Sequence, residues 1–185
     1  MLTVWNESDR MIKTKGLEMI NTGKLRASKN DECYTPPEAM PSLLKHLPYW
    51  VKTVWCPCDK DSSEIVKALN DSGRRAIATH IDDGFDFLKV APSDPSSYDM
   101  IITNGPYSCK DKIIARCIEL GKPWALLLPL DALCGKKRAA LYAKSGGVGV
   151  ITLKDRLNFT GGHGNWFYSA WVCSWPEING SWVQE

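Results

Sequence analysis

No apolar run among the 185 residues approaches the roughly 20 needed to span a bilayer as a helix, so the chain is not expected to cross a membrane. Residues 1–15 scatter charges among their apolar side chains. They lack the uninterrupted apolar core of a secretion signal, which points to the cytosol. Charge of one sign is missing too: 23 Lys and Arg against 21 Asp and Glu leave a net +2. That falls short of the basic excess usual in duplex-binding proteins. A disulfide framework is also lacking. The seven cysteines (33, 56, 58, 109, 117, 134 and 173) are odd in number and dispersed, which reads as reduced thiols. Cys56-Pro57-Cys58 is spaced too tightly for a zinc pair and has no second Cys/His pair behind it, so no metal is expected. With no internal repeat, the length suits one domain at 31–185, preceded by a basic arm or helix at 1–30 and without a separate target-recognition domain.

What is present is an alternation of strand and helix patterns. Pro36-Pro37-Glu38 opens a helix striped by Met40, Leu43, Leu44 and Leu47 and stopped at Pro48. Strands are expected at 52–56, 75–81, 99–103, 124–128, 148–153 and 168–175. Helices are expected at 62–72, with Ser62 or Ser63 as cap, at 111–120, closed by Gly121, and at 136–144. The alternation predicts an α/β fold: a Rossmann-like, mostly parallel sheet with helices on both faces. The connection between the last two strands holds Gly161-Gly162-His163-Gly164-Asn165 and no helix, which suggests an antiparallel edge strand.

Ligands of such sheets sit at the carboxyl ends of the strands. There the sequence offers Cys56-Pro57-Cys58-Asp59, then His80-Ile81-Asp82, then Asp86-Phe87, and finally Asn104-Gly105-Pro106-Tyr107. Asp59 suits a cationic amino group, His80 or Asp82 ribose hydroxyls, and Asp86 with Phe87 an adenine ring and its amine. In the last turn the Asn104 amide oxygen and the Gly105 carbonyl are acceptors for a planar exocyclic amine, and Tyr107 is a surface on which a base stacks. Each has a plain structural alternative. Asp59 is also a helix-start residue, His80 a satisfied buried histidine, Asp82-Asp83-Gly84 a turn, and Asn-Gly-Pro a common loop. Basic residues at Lys110, Lys136 and Arg138, with Trp166, are candidates for a nucleic-acid or base-binding surface, although such runs are also ordinary solvated faces.

Together these segments resemble the small phage and mobile-element adenine methyltransferases of the Dam-like group. Asp31-Glu32-Cys33-Tyr34-Thr35-Pro36 matches the group's N-terminal element, Cys56-Pro57-Cys58-Asp59 its first cofactor loop, Asp86-Phe87 its adenine-contacting element, and Asn104-Gly105-Pro106-Tyr107 its catalytic turn. The resemblance runs in the group's order from about residue 28 to about residue 175. It implies S-adenosylmethionine as cofactor, held by Tyr34, Thr35, Pro36, Cys56, Pro57, Asp59, His80, Asp82, Asp86 and Phe87. It implies catalysis by Asn104, Gly105, Pro106 and Tyr107 on an adenine flipped out of a nucleic acid, DNA ahead of RNA. Gly105 stands where the group has a first proline, and Asp59-Lys60-Asp61 where its loop often has a glycine. The alternative is a catalytically weak or inactive module that binds cofactor, nucleic acid or a host or phage protein.

Overall fold

The computed structural model describes residues 34–159 and 168–184, so the basic arm at 1–30 and Trp166 lie outside the described residues. The strands are β1 (Thr53–Cys56), β2 (Arg75–Ala78), β3 (Met100–Thr103), β4 (Trp124–Pro129), β5 (Gly149–Thr152), β6 (Ser169–Ser174) and β7 (Trp182–Val183). The α-helices are α1 (Met40–His46), α2 (Glu64–Asp71), α3 (Lys110–Leu120) and α4 (Lys136–Lys144).

The strands form one sheet in the order β2-β1-β3-β4-β6-β5-β7. β1 lies parallel to β2 and β3, β3 to β4, and β5 to β7. The fold is α/β and the sheet mostly parallel, as the alternation predicts. The reversed strand is β6, but it is not an edge. It is antiparallel to β4 on one side and to β5 on the other. An antiparallel neighbour needs no crossover helix, so a connection whose sequence carries no helix pattern announces the reversal without saying on which side of β5 the strand inserts. The burial of all six β6 residues tells more, since an edge strand is ordinarily blunted by charge or exposure.

Side chains alternate across the sheet with the two-residue period of extended chain. Trp55, Ile101, Trp124, Leu126 and Val172 meet Ile113, Ile114 and Cys117 of α3 and Tyr142 of α4. On the opposite face, Val54, Ile102, Ala125, Leu127 and Trp171 meet Leu43 of α1 and Ile65 and Leu69 of α2. Helices therefore cover both faces. Ser63 caps α2 by accepting from the Val66 amide at 3.2 Å, and Gly121, in the left-handed region at φ +66°, closes α3.

The strand β7 was not expected from the sequence, and two boundaries differ most from the expectation. Pro37–Ala39 is a 3-10 turn leading into α1, and Pro36 precedes it in extended conformation. The second strand ends at Ala78 because His80 turns the chain: its Nδ1 accepts the Asp82 amide at 3.2 Å and caps a 3-10 turn at Ile81–Asp83. Among the described residues no helix is long and apolar enough to cross a membrane.

Candidate functional site

From β1 the chain passes through α2 to β2 on one side, whereas β3 lies on the other side of β1. The order of strands therefore reverses between β1 and β3. In an open α/β sheet the crevice beyond the strand ends at such a reversal is the natural ligand site. A cavity of about 370 Å³ lies there, within the range of roughly 300–1,000 Å³ common for small-molecule sites. Pro57, Cys58 and Asp59 line it from the end of β1, His80 from beyond β2, and Asn104 and Pro106 from beyond β3. Tyr34 and Thr35 enter from the N-terminal side. Their approach is fixed by Trp171 on β6, whose Nε1 donates to the Ala39 carbonyl at 2.7 Å.

Asp59 is the buried charge of the site, 7% exposed. Its Oδ2 accepts from Thr103 Oγ1 at 2.7 Å, and that hydroxyl accepts the Cys58 amide at 3.3 Å. Thr103, the last residue of β3, thus ties the loop after β1 to the turn that begins at Asn104. Burial pushes the Asp59 carboxyl up to about 6, against the hydrogen bonds from Thr103 and Ser63 that favour its ionised form. The opposite wall is apolar: Phe85, Phe87, Leu88 and Ile113. Phe87 is braced edge-on against Trp55, ring centroids 5.3 Å apart. Asp86 lies beside it, its Oδ2 2.8 Å from Lys89 Nζ and its Oδ1 accepting the Leu88 amide at 3.0 Å. Both contacts, Lys89 first, hold its carboxyl below the usual carboxylate range.

The Asn104 turn packs directly on α3. A Cβ added at Gly105 would stand 2.5 Å from Ile113 Cδ1 and 3.3 Å from Cys58 Sγ. Space is tight here, and a larger residue would have to displace the end of the Ile113 side chain, whereas the φ of Gly105 lies outside the left-handed region. Tyr107 does not line the cavity. Its hydroxyl lies 3.5 Å from Ser169 Oγ at the start of β6, and its ring stands edge-on to Phe159 at 6.3 Å.

The structure brings together Tyr34, Thr35, Pro57, Asp59, His80, Asp86, Phe87, Asn104 and Pro106, and leaves others apart. Pro36 does not line the cavity. Cys56 does not either: alternation turns it into the core behind β1, where burial pushes its thiol well up. Asp82 lies outside the lining, exposed and paired with Lys60 at 2.6 Å. Lys110 is buried and donates from Nζ to the Tyr107 carbonyl at 3.4 Å, so it braces the turn instead of joining a surface patch. Arg138 is engaged by Asp111 and by the carbonyls of Asp131 and Cys134, which makes it a link between α4, α3 and the loop before α4. Lys136 is exposed at the start of α4, away from the cavity lining.

Beyond the strand-end segments it named, sequence reasoning missed Lys60, Ser62, Ser63, Glu64, Phe85, Leu88, Cys109 and Ile113 as lining residues. A signal existed for two of them. Ser63 and Glu64 begin the helix after the first strand, and that helix start faces the ligand crevice in such folds.

The donor set fits an amphipathic ligand with a cation at one end and a flat ring at the other. Asp59 supplies the anion and the phenylalanine wall the slot. Thr35 Oγ1 is buried without a hydrogen-bond partner among the described residues, and a polar ligand atom would satisfy it.

No family model matches the chain, and no curated protein matches it. Among solved structures, it is similar to a candidate class I S-adenosylmethionine-dependent methyltransferase from Listeria monocytogenes, at 12% identity and TM-score 0.49, over 88% of this chain and 68% of that one. It is also similar to a release-factor-specific protein-(glutamine-N5) methyltransferase from Alicyclobacillus acidocaldarius, at 16% identity and TM-score 0.44, over 76% of this chain and 94% of that one.

Proposed function

We propose that the protein is an S-adenosylmethionine-dependent methyltransferase acting on the exocyclic amine of adenine in a nucleic acid, DNA ahead of RNA. The observation that carries this reading is the convergence of Asp59 and Asn104 on one cavity at the β1/β3 reversal. An anchor for a cationic small molecule and the Asn104 side chain thus border one cavity, with the Gly105 carbonyl next along the chain.

Each residue has a defined task. Ionised Asp59 and the Thr35 hydroxyl hold the amino-acid end of the cofactor, His80 its ribose, and Asp86 with Phe87 its adenine. When bound, S-adenosylmethionine supplies a methyl group made electrophilic by its sulfonium centre. The Asn104 amide oxygen and the Gly105 carbonyl accept the two hydrogens of the target amine, which aims its lone pair and stabilises the positive charge that develops on nitrogen. Tyr107, outside the cofactor cavity, stacks on the flipped base. No strong general base is required, because orientation and fixed dipoles supply the rate. The packing of Gly105 against Ile113 favours a turn built around glycine over a decayed active site.

Calorimetric titration with S-adenosylmethionine and S-adenosylhomocysteine, followed by labelled-methyl transfer to oligonucleotides with and without adenine, tests the reading. Micromolar cofactor binding and adenine-dependent transfer are expected. A folded protein that binds neither compound would overturn it. Cofactor binding with no adenine-dependent transfer would keep the cofactor site and reject the adenine.

A further inference from the structure

A second hollow, of about 310 Å³, lies along the same margin of the sheet, beyond β4, β5 and β6 and beside β7. Leu130, Thr152, Lys154, Tyr168, Ser169 and Trp182 are among its walls. It differs from the cavity in carrying large aromatic rings in the open: Tyr168 is 55% exposed and Trp182 63%. Arg156 lies over the Tyr168 ring, guanidinium carbon 4.4 Å from the centroid. Lys154 and Arg156 flank Asp155, which leaves this segment net positive.

The hollow is physically joined to the Asn104 turn. Ser169 lines it and reaches Tyr107 Oη at 3.5 Å, and the Tyr168 carbonyl accepts the Leu130 amide at 2.9 Å, which fixes the aromatic residue at the strand end. Exposed rings paired with cations are the elements by which proteins hold unpaired bases and their phosphates. A duplex offers its backbone and groove edges but no free base face for such rings to stack on, since its bases are stacked on one another.

We propose that this hollow binds the unpaired nucleotides flanking the target base, with Tyr168 and Trp182 as stacking platforms and Lys154 as a phosphate contact. The assignment rests on the nucleic-acid reading of the Asn104 site and narrows it to single-stranded substrate, or to a strand locally opened.

The test uses the full chain and a short fluorescent single-stranded oligonucleotide containing adenine, measured by anisotropy beside its duplex. Tyr168→Ala and Trp182→Ala are each expected to weaken single-strand binding about tenfold. Lys154→Ala is expected to lower the salt dependence by about one unit of slope. All three should leave the dissociation constant for S-adenosylhomocysteine unchanged, which also shows that the variants fold. Tighter binding of duplex than of single strand, or unchanged single-strand affinity in both aromatic variants, would overturn the hollow's role while leaving the methyltransferase reading intact. Absence of oligonucleotide binding by a wild-type protein that binds the cofactor would overturn both the hollow and the nucleic-acid substrate. Absence of cofactor binding would strike the parent reading alone.

Discussion

The two hollows along the carboxyl-end margin of the sheet differ in what stands behind their walls. Around the first, Asp59, Phe87 and Ile113 are buried, and each is held by a second layer: Thr103, Trp55 and the Asn104 turn. Around the second, Tyr168 and Trp182 are exposed, and Tyr168 is backed by the long side chain of Arg156 and not by a buried layer. Enclosure strengthens electrostatics but couples binding to folding, because any change must be absorbed by packed neighbours. Openness leaves binding and folding separable. A small ligand that must be wholly surrounded suits the first, and a polymer that must slide in and leave suits the second. The comparison makes a general demand: changes at the cavity should register in both stability and activity, those at the hollow in binding alone.

The largest effect is expected at Asn104. Replacing it with Ala removes an acceptor aimed at the developing charge, a type of loss that costs about 10²–10³ in turnover. Asn104 borders the cofactor cavity without supplying its anionic anchor, so cofactor affinity should change by less than about threefold. Single-turnover methyl transfer beside calorimetry separates the two. A variant with full turnover would remove Asn104 from the chemistry and break the assignment of the cavity as the reacting end.

Next comes Asp59, where folding and binding pull in opposite directions. Its carboxyl is raised from an ordinary 3.8 to about 6 in the folded protein. Between those values the folded state holds more protons than the unfolded one, so this group makes stability fall as pH rises from about 4 through 6. Above both values the cost levels off at about 3 kcal/mol. Asp59→Asn is neutral throughout and can still accept from Thr103. It should unfold at higher urea than wild type at about pH 8 and lose that advantage at about pH 4. Cofactor binding should move the other way. Wild type binds more tightly as pH rises through 6 and the anion forms, whereas the variant binds weakly and without that dependence. Equal urea midpoints at both pH values would show that Asp59 is not the enclosed charge that distinguishes the cavity.

These residues also show what sequence can and cannot yield. The ends of the first and third strands were legible because short apolar runs stopping before Asp59 and at Asn104 follow from local rules of strand and turn, whereas the strand expected at 75–81 stops at Ala78. One helix face was legible from the spacing of Met40, Leu43, Leu44 and Leu47, which pack in or against the core. What escaped was set by distance in sequence. Cys56 and Asp59 stand three residues apart, yet alternation along β1 sends one into the core and the turn sends the other into the cavity. Arg138 belonged by composition to a basic patch, but its partner Asp111 is on another helix, 27 residues away. The insertion side of β6 depends on pairing with β4, some 45 residues earlier in the chain (Ala125 with Cys173, for instance), which no local pattern encodes.

Gly105 gives the finest test, because it asks how tightly the enclosed site is packed. A proline there would restore the motif of the resembling group, but its Cβ would meet Ile113 Cδ1 at 2.5 Å. Gly105→Pro alone should cost about 1–3 kcal/mol of stability, the usual penalty for overpacking. Ile113→Val deletes the offending Cδ1 and nothing else, at about 1 kcal/mol on its own. Combined, the two should cost less than their sum, with a favourable coupling of about 1 kcal/mol in a double-mutant cycle read by urea unfolding. Cys58 Sγ, 3.3 Å from the added atom, remains and keeps the recovery incomplete. Simple additivity would mean that the turn or the end of the Ile113 side chain moves aside without resistance. The first hollow would then be as loosely backed as the second, and the contrast between them would rest on exposure alone.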